Sequence, residues 1–139
     1  MEYQKIISIS KKQGLFQIIS QTKNGCIVES LGDKKRFPVH STNHISLLEN
    51  IAIYTYETEV PLLDIFKTIF KTTEGKMTIS HKENGKTLSS YFSEILPDYD
   101  DERVYVSNIK KVIQWYNILV NAGLDFSKIE TSEENSDTM

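Results

Sequence analysis

Residues 14–31 read Gly14-Leu15-Phe16-Gln17-Ile18-Ile19-Ser20-Gln21-Thr22-Lys23-Asn24-Gly25-Cys26-Ile27-Val28-Glu29-Ser30-Leu31. Two runs rich in aromatic and β-branched residues flank an Asn-Gly pair, the strongest short-range hairpin signal because both residues accept positive φ. Phe16, Ile18 and Ser20 are expected on one face of the first run. A second turn at Gly32-Asp33-Lys34-Lys35 leads to a third strand, Arg36-Phe37-Pro38-Val39-His40, with Phe37 and Val39 facing the same way. Pro38 has no N–H to give a ladder, so this strand is expected at a sheet edge or at a bulge. A fourth strand is expected over Ile51-Ala52-Ile53-Tyr54-Thr55-Tyr56. Short strands with tight turns predict a small curled antiparallel sheet or partial barrel over residues 1–58.

At Pro61 the apolar period changes from 2 to 3.6. Leu62, Leu63, Ile65, Phe66, Ile69 and Phe70 form one stripe, Pro61 suits the first helical turn, and Glu74-Gly75-Lys76 ends the helix. Met77-Thr78-Ile79 reads as a short strand and Asn84-Gly85 as a turn. A second helix is expected from Leu88 to Leu96, with Thr87 as N-cap and Pro97 as stop. A third follows Ser107, carries Ile109, Val112, Ile113, Tyr116, Leu119 and Val120 at helical spacing, and closes at Gly123 with Leu124 beyond. Trp115 is expected at the edge of that stripe. The helical region thus spans 59–130, and the acidic tail 131–139 is expected to be disordered. The fold class is α+β: a small β-barrel or sheet followed by three α-helices.

With 139 residues, 39% of them hydrophobic, the chain can bury a core without a cross-link. Its one cysteine, Cys26, excludes an intrachain disulfide and reads as a small buried hydrophobe. The amino terminus lacks the apolar segment and small-residue cleavage site of a signal peptide. No window approaches the roughly 18 apolar residues of a membrane helix. The expected compartment is the cytoplasm, with no membrane partner.

No phosphate-binding loop, dinucleotide fingerprint or nucleophile elbow occurs, so the residues call for no catalytic group and no cofactor. His40 and His44 stand four apart, a metal-ligand spacing on a helix, but Pro38 and the neighbouring strands argue for a loop. Asp98-Tyr99-Asp100-Asp101-Glu102 resembles the start of a calcium loop but lacks Gly at the sixth position and Glu at the twelfth, which is Ile109. The cluster is read as charge balance for Lys110 and Lys111 at the start of the third helix, with a partner-facing patch as the alternative. Charge is unevenly distributed along the chain. Residues 1–36 carry seven basic groups against three acidic, +4, and residues 97–139 carry four against nine, −5. Lys11, Lys12, Lys34, Lys35, Arg36 and Phe37 are therefore the candidate binding residues of the β-module.

Several strings recur together: Gly14-Leu15-Phe16, Ser20-Gln21-Thr22, Val28-Glu29-Ser30-Leu31, Lys35-Arg36-Phe37-Pro38-Val39, Leu96-Pro97-Asp98-Tyr99-Asp100, Arg103-Val104-Tyr105-Val106-Ser107 and Trp115-Tyr116-Asn117. In this combination the chain resembles an uncharacterised family of small proteins from Bacteroidetes, described only as carrying a domain of unknown function. The resemblance covers about Lys5 to Phe126 and departs at Ser10-Lys11-Lys12-Gln13-Gly14. It implies an SH3-like amino-terminal β-module and a helical carboxy-terminal part, and it brings no activity, cofactor or catalytic residue. The expected function is a non-enzymatic binding or adaptor module with a protein partner. The alternatives are an RNA- or DNA-binding small barrel and, third, a metal-dependent protein using His40 and His44.

Overall fold

A computed structural model describes residues 2–40 and 44–129; the tail expected to be disordered, 131–139, lies outside them. The chain is α+β. It forms two compact units, Met1–Ile51 and Ala52–Met139.

The first unit is a five-stranded antiparallel sheet: β1 Ile6–Ile9, β2 Phe16–Thr22, β3 Gly25–Ser30, β4 Arg36–His40 and β5 Ile45–Leu47, in the order β4-β3-β2-β1-β5. β4 is an edge strand, as Pro38 requires. Arg36, Pro38 and His40 are exposed, while Phe37 is half-buried and Val39 buried, the alternation of a strand with one covered face. Ile7, Ile9, Phe16, Cys26, Val28 and Val39 make the core, and Ile18, Phe37, Ile45 and Leu47 pack against it.

Chain length dictates that this sheet is coiled. His40 lies opposite Gly25, itself opposite Thr22 at the far end of β2. Ile45 lies opposite Ile9, two residues beyond Ile7, the partner of Phe16 at the near end of β2. In a flat sheet these corners would be separated by four strand spacings, about 19 Å, and by more than about 20 Å along the strands. Five residue steps from His40 to Ile45 reach at most about 18 Å. The register of β2 shifts between Ile18 and Ser20, a bulge at Ile19 that bends and twists the strand.

The hairpin after β2 sits where expected, but its glycine has a different task. Thr22 pairs with Gly25, so Lys23 and Asn24 are the turn residues and Gly25 already belongs to β3. Gly25 does not have positive φ. A Cβ there would overlap the Val39 carbonyl of β4, so the glycine permits close approach of two strands.

The second unit opens with a hairpin, β6 Ala52–Tyr54 and β7 Glu59–Pro61. The fourth strand expected of the first sheet is therefore β6, paired with β7 in a sheet of its own. Three helices follow: α1 Leu62–Thr72, α2 Gly85–Ile95 and α3 Val106–Asn121. α2 begins earlier than expected because Asn84, not Thr87, is the N-cap, its side chain accepting from the Thr87 N–H at 2.8 Å. α3 likewise begins two residues early. Tyr105 is its N-cap, and the Tyr105 N–H donates to Asn108 Oδ1 at 2.9 Å. Its end is as expected: Gly123 has φ +97, and Leu124 N–H reaches the Leu119 carbonyl at 3.0 Å, which closes a Schellman turn.

Buried Leu62, Ile65, Phe66 and Ile69 of α1, Leu88 and Phe92 of α2, and Ile109, Val112, Ile113, Tyr116 and Leu119 of α3 supply the apolar faces. Phe126, in a 3-10 turn after α3, is fully buried against the rings of Phe66, Phe70 and Tyr116 at 5.5, 5.6 and 5.9 Å between centroids. Trp115 is half-buried, at the edge of the stripe.

The segment Met77-Thr78-Ile79 is not a strand. Buried Asn117 accepts from the Thr78 N–H at 2.8 Å and donates to the Ile79 carbonyl at 3.0 Å, so a side chain takes the place of a strand partner.

One member of the acidic cluster is also absorbed into the fold. Asp100 is 6% exposed and accepts from Arg103 Nε at 2.7 Å and from the Glu102 N–H at 3.0 Å. Its own N–H donates to the Tyr54 carbonyl at 2.9 Å, tying the α2–α3 connection to β6. The balancing cation is thus Arg103. Because α3 starts at Val106, Lys110 and Lys111 fall beyond its first turn.

Three outcomes are expected from these arrangements. Gly25→Ala destabilises the first unit by about 1–3 kcal/mol through overlap with backbone. Gly32→Ala, whose Cβ would meet nothing nearer than Ser30 Oγ at 3.9 Å, changes stability little; equal denaturation midpoints for the two variants would refute the close-approach account. Asn117→Ala costs the second unit about 2–3 kcal/mol, because two backbone groups lose their partner, as measured by urea unfolding. The Arg103 guanidinium holds the Asp100 carboxyl below the ordinary carboxylate range. The unfolded chain then binds the extra proton first, so this stabilisation is present above about pH 4 and lost as pH falls further. Asp100→Asn flattens the unfolding profile in that acid window, and an unchanged profile would exclude the pair as its source.

Candidate functional site

The two antiparallel hairpins of the first sheet put the β1–β2 loop and the β3–β4 turn at one end, where the Leu31 N–H donates to the Leu15 carbonyl at 3.1 Å. Both segments use left-handed backbone to turn sharply: Lys11 has φ 70 and Lys34 φ 63. Asp33 braces the second turn by accepting from the Lys35 N–H at 3.1 Å, which lowers its pKa. Lys11, Lys12, Lys34 and Lys35 are all exposed.

The six candidate residues of this end do not act alike. Arg36 Nε meets Glu29 Oε2 at 2.8 Å, a cross-strand ion pair at directly opposed positions. Phe37 is not an open platform. The Phe16 ring meets it edge-on at 5.5 Å, and Lys12 Nζ lies 4.8 Å from its centroid. Lys12 and Phe37 are thus brought together, Arg36 is engaged by Glu29, and Lys11, Lys34 and Lys35 are displayed on the turns.

His40 ends β4 and His44 precedes β5, where its carbonyl accepts from the Ser10 N–H at 2.9 Å. Neither stands on a helix, and among the described residues no three His, Cys, Asp or Glu come together as a metal site would need.

A second candidate surface, absent from the sequence reading, lies on the second unit around Arg103. Its guanidinium carbon sits 4.3 Å from the Tyr54 ring centroid, and Nη2 reaches the Thr55 carbonyl at 3.5 Å. Tyr56 Oη donates to Asp101 Oδ1 at 2.7 Å, an interaction that raises the Tyr56 pKa. These contacts leave the two rings largely in water, Tyr54 42% exposed and Tyr56 59%; Tyr105 and Val106, next in the chain after Val104, are 64% and 41% exposed. Exposed carboxylates stand beside them in the chain at Glu57, Glu59, Asp98, Asp101 and Glu102. The sequence signal was present in the tyrosines of 54–56 and 105, but a tyrosine within an apolar run is read first as core.

Among the described residues no helix is long and apolar enough to cross a membrane. Residues 51–119 match a family described as Domain of unknown function (DUF6852), and residues 4–48 match Domain of unknown function (DUF5606). The two matched segments meet where the chain divides into its two units. No curated protein matches the chain. Among solved structures, the solution NMR structure of a Bacteroides vulgatus protein, determined by the Northeast Structural Genomics Consortium, is 41% identical to it. The match covers 90% of this chain and 91% of that one, with a TM-score of 0.69. The chain therefore belongs with that protein to an uncharacterised, Bacteroidetes-type family of small proteins.

Proposed function

We infer that the protein is a non-enzymatic adaptor module of the cytoplasm that docks a protein partner on the Tyr54–Arg103 surface. The observation that carries this reading is the exposure of Tyr54 and Tyr56 beside an arginine already held by Asp100 and the Thr55 carbonyl, with exposed Tyr105 and Val106 two and three positions after that arginine in the chain. Tyrosine and arginine are the residues that dominate binding hot spots, and their rigid attachment lowers the ordering cost of association. The neighbouring carboxylates favour a partner segment that presents basic side chains around an apolar anchor.

A second reading, RNA or DNA binding by the β-module, is supported by the display of Lys11, Lys12, Lys34 and Lys35 at one end of the sheet. The two readings separate in one capture experiment on nuclease-treated cytoplasm. Under the adaptor reading, protein is retained by the wild type and by Lys34→Glu/Lys35→Glu, and lost with Tyr105→Ser/Val106→Ser. Retention by both double variants removes the tyrosine surface from the account. Under the nucleic-acid reading, labelled RNA or DNA binds with an affinity that falls steeply with salt, and Lys34→Glu/Lys35→Glu weakens it. Binding that ignores salt, or none at low salt, ends that reading.

A further inference from the structure

We propose that the partner docked on the Tyr54–Arg103 surface is a second copy of this chain, which presents the lysine end of its first unit, so that copies associate head to tail. The inference rests on the docking reading above and names its occupant.

Backbone register and hydrogen bonds define the acidic face. Tyr54 lies opposite Glu59 in the β6–β7 hairpin, and the Tyr56 N–H donates to the Asp98 carbonyl at 3.2 Å. Tyr56 Oη is bonded to Asp101. Exposed Glu59, Asp98 and Asp101 thus lie beside two exposed rings, while Arg103 is paired with Asp100 at 2.7 Å. Arg103 also lies over the Tyr54 ring at 4.3 Å, the contact that an incoming ammonium group would make with Tyr56.

The first unit displays the complementary chemistry. Lys11, Lys12, Lys34 and Lys35 are exposed on two segments at one end of the sheet. They are set against the carboxylate of Asp33, which the Lys35 N–H holds in the same turn, whereas Glu29 is engaged by Arg36. Half-buried Phe37, with Lys12 Nζ 4.8 Å from its centroid, gives this end an apolar component. Basic side chains beside an apolar ring are what the acidic tyrosine face calls for, and every copy carries both halves. The first unit is net basic by sequence and the second net acidic. Because the two surfaces differ, the contact is heterologous. Each added copy leaves one lysine end and one acidic face unused, so growth passes beyond a dimer unless a ring closes.

Analytical ultracentrifugation of the full chain, freed of nucleic acid, reads this directly. The average mass should rise with protein concentration. Raising salt from about 0.1 M to about 1 M, which shortens the Debye length from about 10 to about 3 Å, should reverse it. Lys34→Glu/Lys35→Glu and Glu59→Lys/Asp98→Lys change exposed side chains on opposite halves of the junction. Each alone should weaken association at least about tenfold, because like charges then face each other. An equimolar mixture of the two should form a one-to-one pair, since the acidic face of the first and the lysine end of the second are intact. That rescue separates lost charge matching from a misfolded variant. The proposal is overturned by a wild type that stays a single chain up to about 1 mM, by association indifferent to salt, or by variants that do not recombine. If the wild type is a single chain yet captures another protein, and loses it with Tyr105→Ser/Val106→Ser, this inference falls and the docking reading stands. If the wild type and Tyr105→Ser/Val106→Ser associate equally, both fall.

Discussion

Residues 73–79 belong to no helix or strand, yet their backbone polar groups need partners where they lie against the helices. Two neighbouring side chains of α3 meet that requirement. Tyr116 is fully buried, and its Oη bonds Thr73 Oγ1 at 2.8 Å and the Lys76 carbonyl at 2.9 Å. Burial pushes its pKa up, so the hydroxyl stays protonated and able to donate. Asn117 then holds Thr78 and Ile79. Together they fix the connection from α1 to α2 onto the middle of α3. The Tyr116 ring also stacks on Phe126 at 5.9 Å. The connection after α1 and the Phe126 turn therefore share one support in α3.

The same economy of polar groups governs the other end of the second unit. Asp100 accepts from its own local turn and from Arg103, and Arg103 in turn reaches Thr55 and Tyr54. A dense acidic run is thereby split in two. Asp100 is consumed by the fold, while Asp98, Asp101 and Glu102 remain exposed beside the tyrosines. In the first unit Glu29 makes a similar selection, engaging Arg36 while the lysines of the turns stay in water. By sequence Met1–Ile51 carries seven basic groups against four acidic and Ala52–Met139 nine against fifteen; a local ion pair removes one charge of each sign and so leaves the difference within each unit unchanged.

Periodicity and terminal chemistry made much of this architecture legible. The change of period at Pro61, the edge position demanded by Pro38 and the left-handed stop at Gly123 all depend on neighbours a few residues away, and each is found. What escaped depends on partners far along the chain. β1 and β5 have four and three residues, too few to carry a pattern, and they are strands only because each pairs with the other and β1 with β2. Gly25 looked like a turn glycine because the constraint on it comes from Val39, fourteen positions away. The role of Asn117 comes from Thr78 and Ile79, 39 and 38 positions away. The candidate site divides in the same way. The lysines of the turns were legible from local turn chemistry, whereas the engagement of Arg36 by Glu29, the Lys12 contact with Phe37 and the Tyr54–Arg103 surface require the tertiary fold.

The coiled sheet also bears on how the first unit can meet a partner. An open edge invites strand addition, and this sheet has two edges, β4 and β5. β5 is three residues long, too short to template more than a few bonds. β4 has Pro38 at its centre, opposite Ile27, so an incoming strand would find no donor midway along it. Recognition by backbone pairing is disfavoured on both sides. What this unit offers instead is side chains at its ends, above all the lysines held out by left-handed turns at Lys11 and Lys34. Its specificity would then rest on charge and on the spacing of two braced turns, and so should fall with salt in a way that strand addition would not.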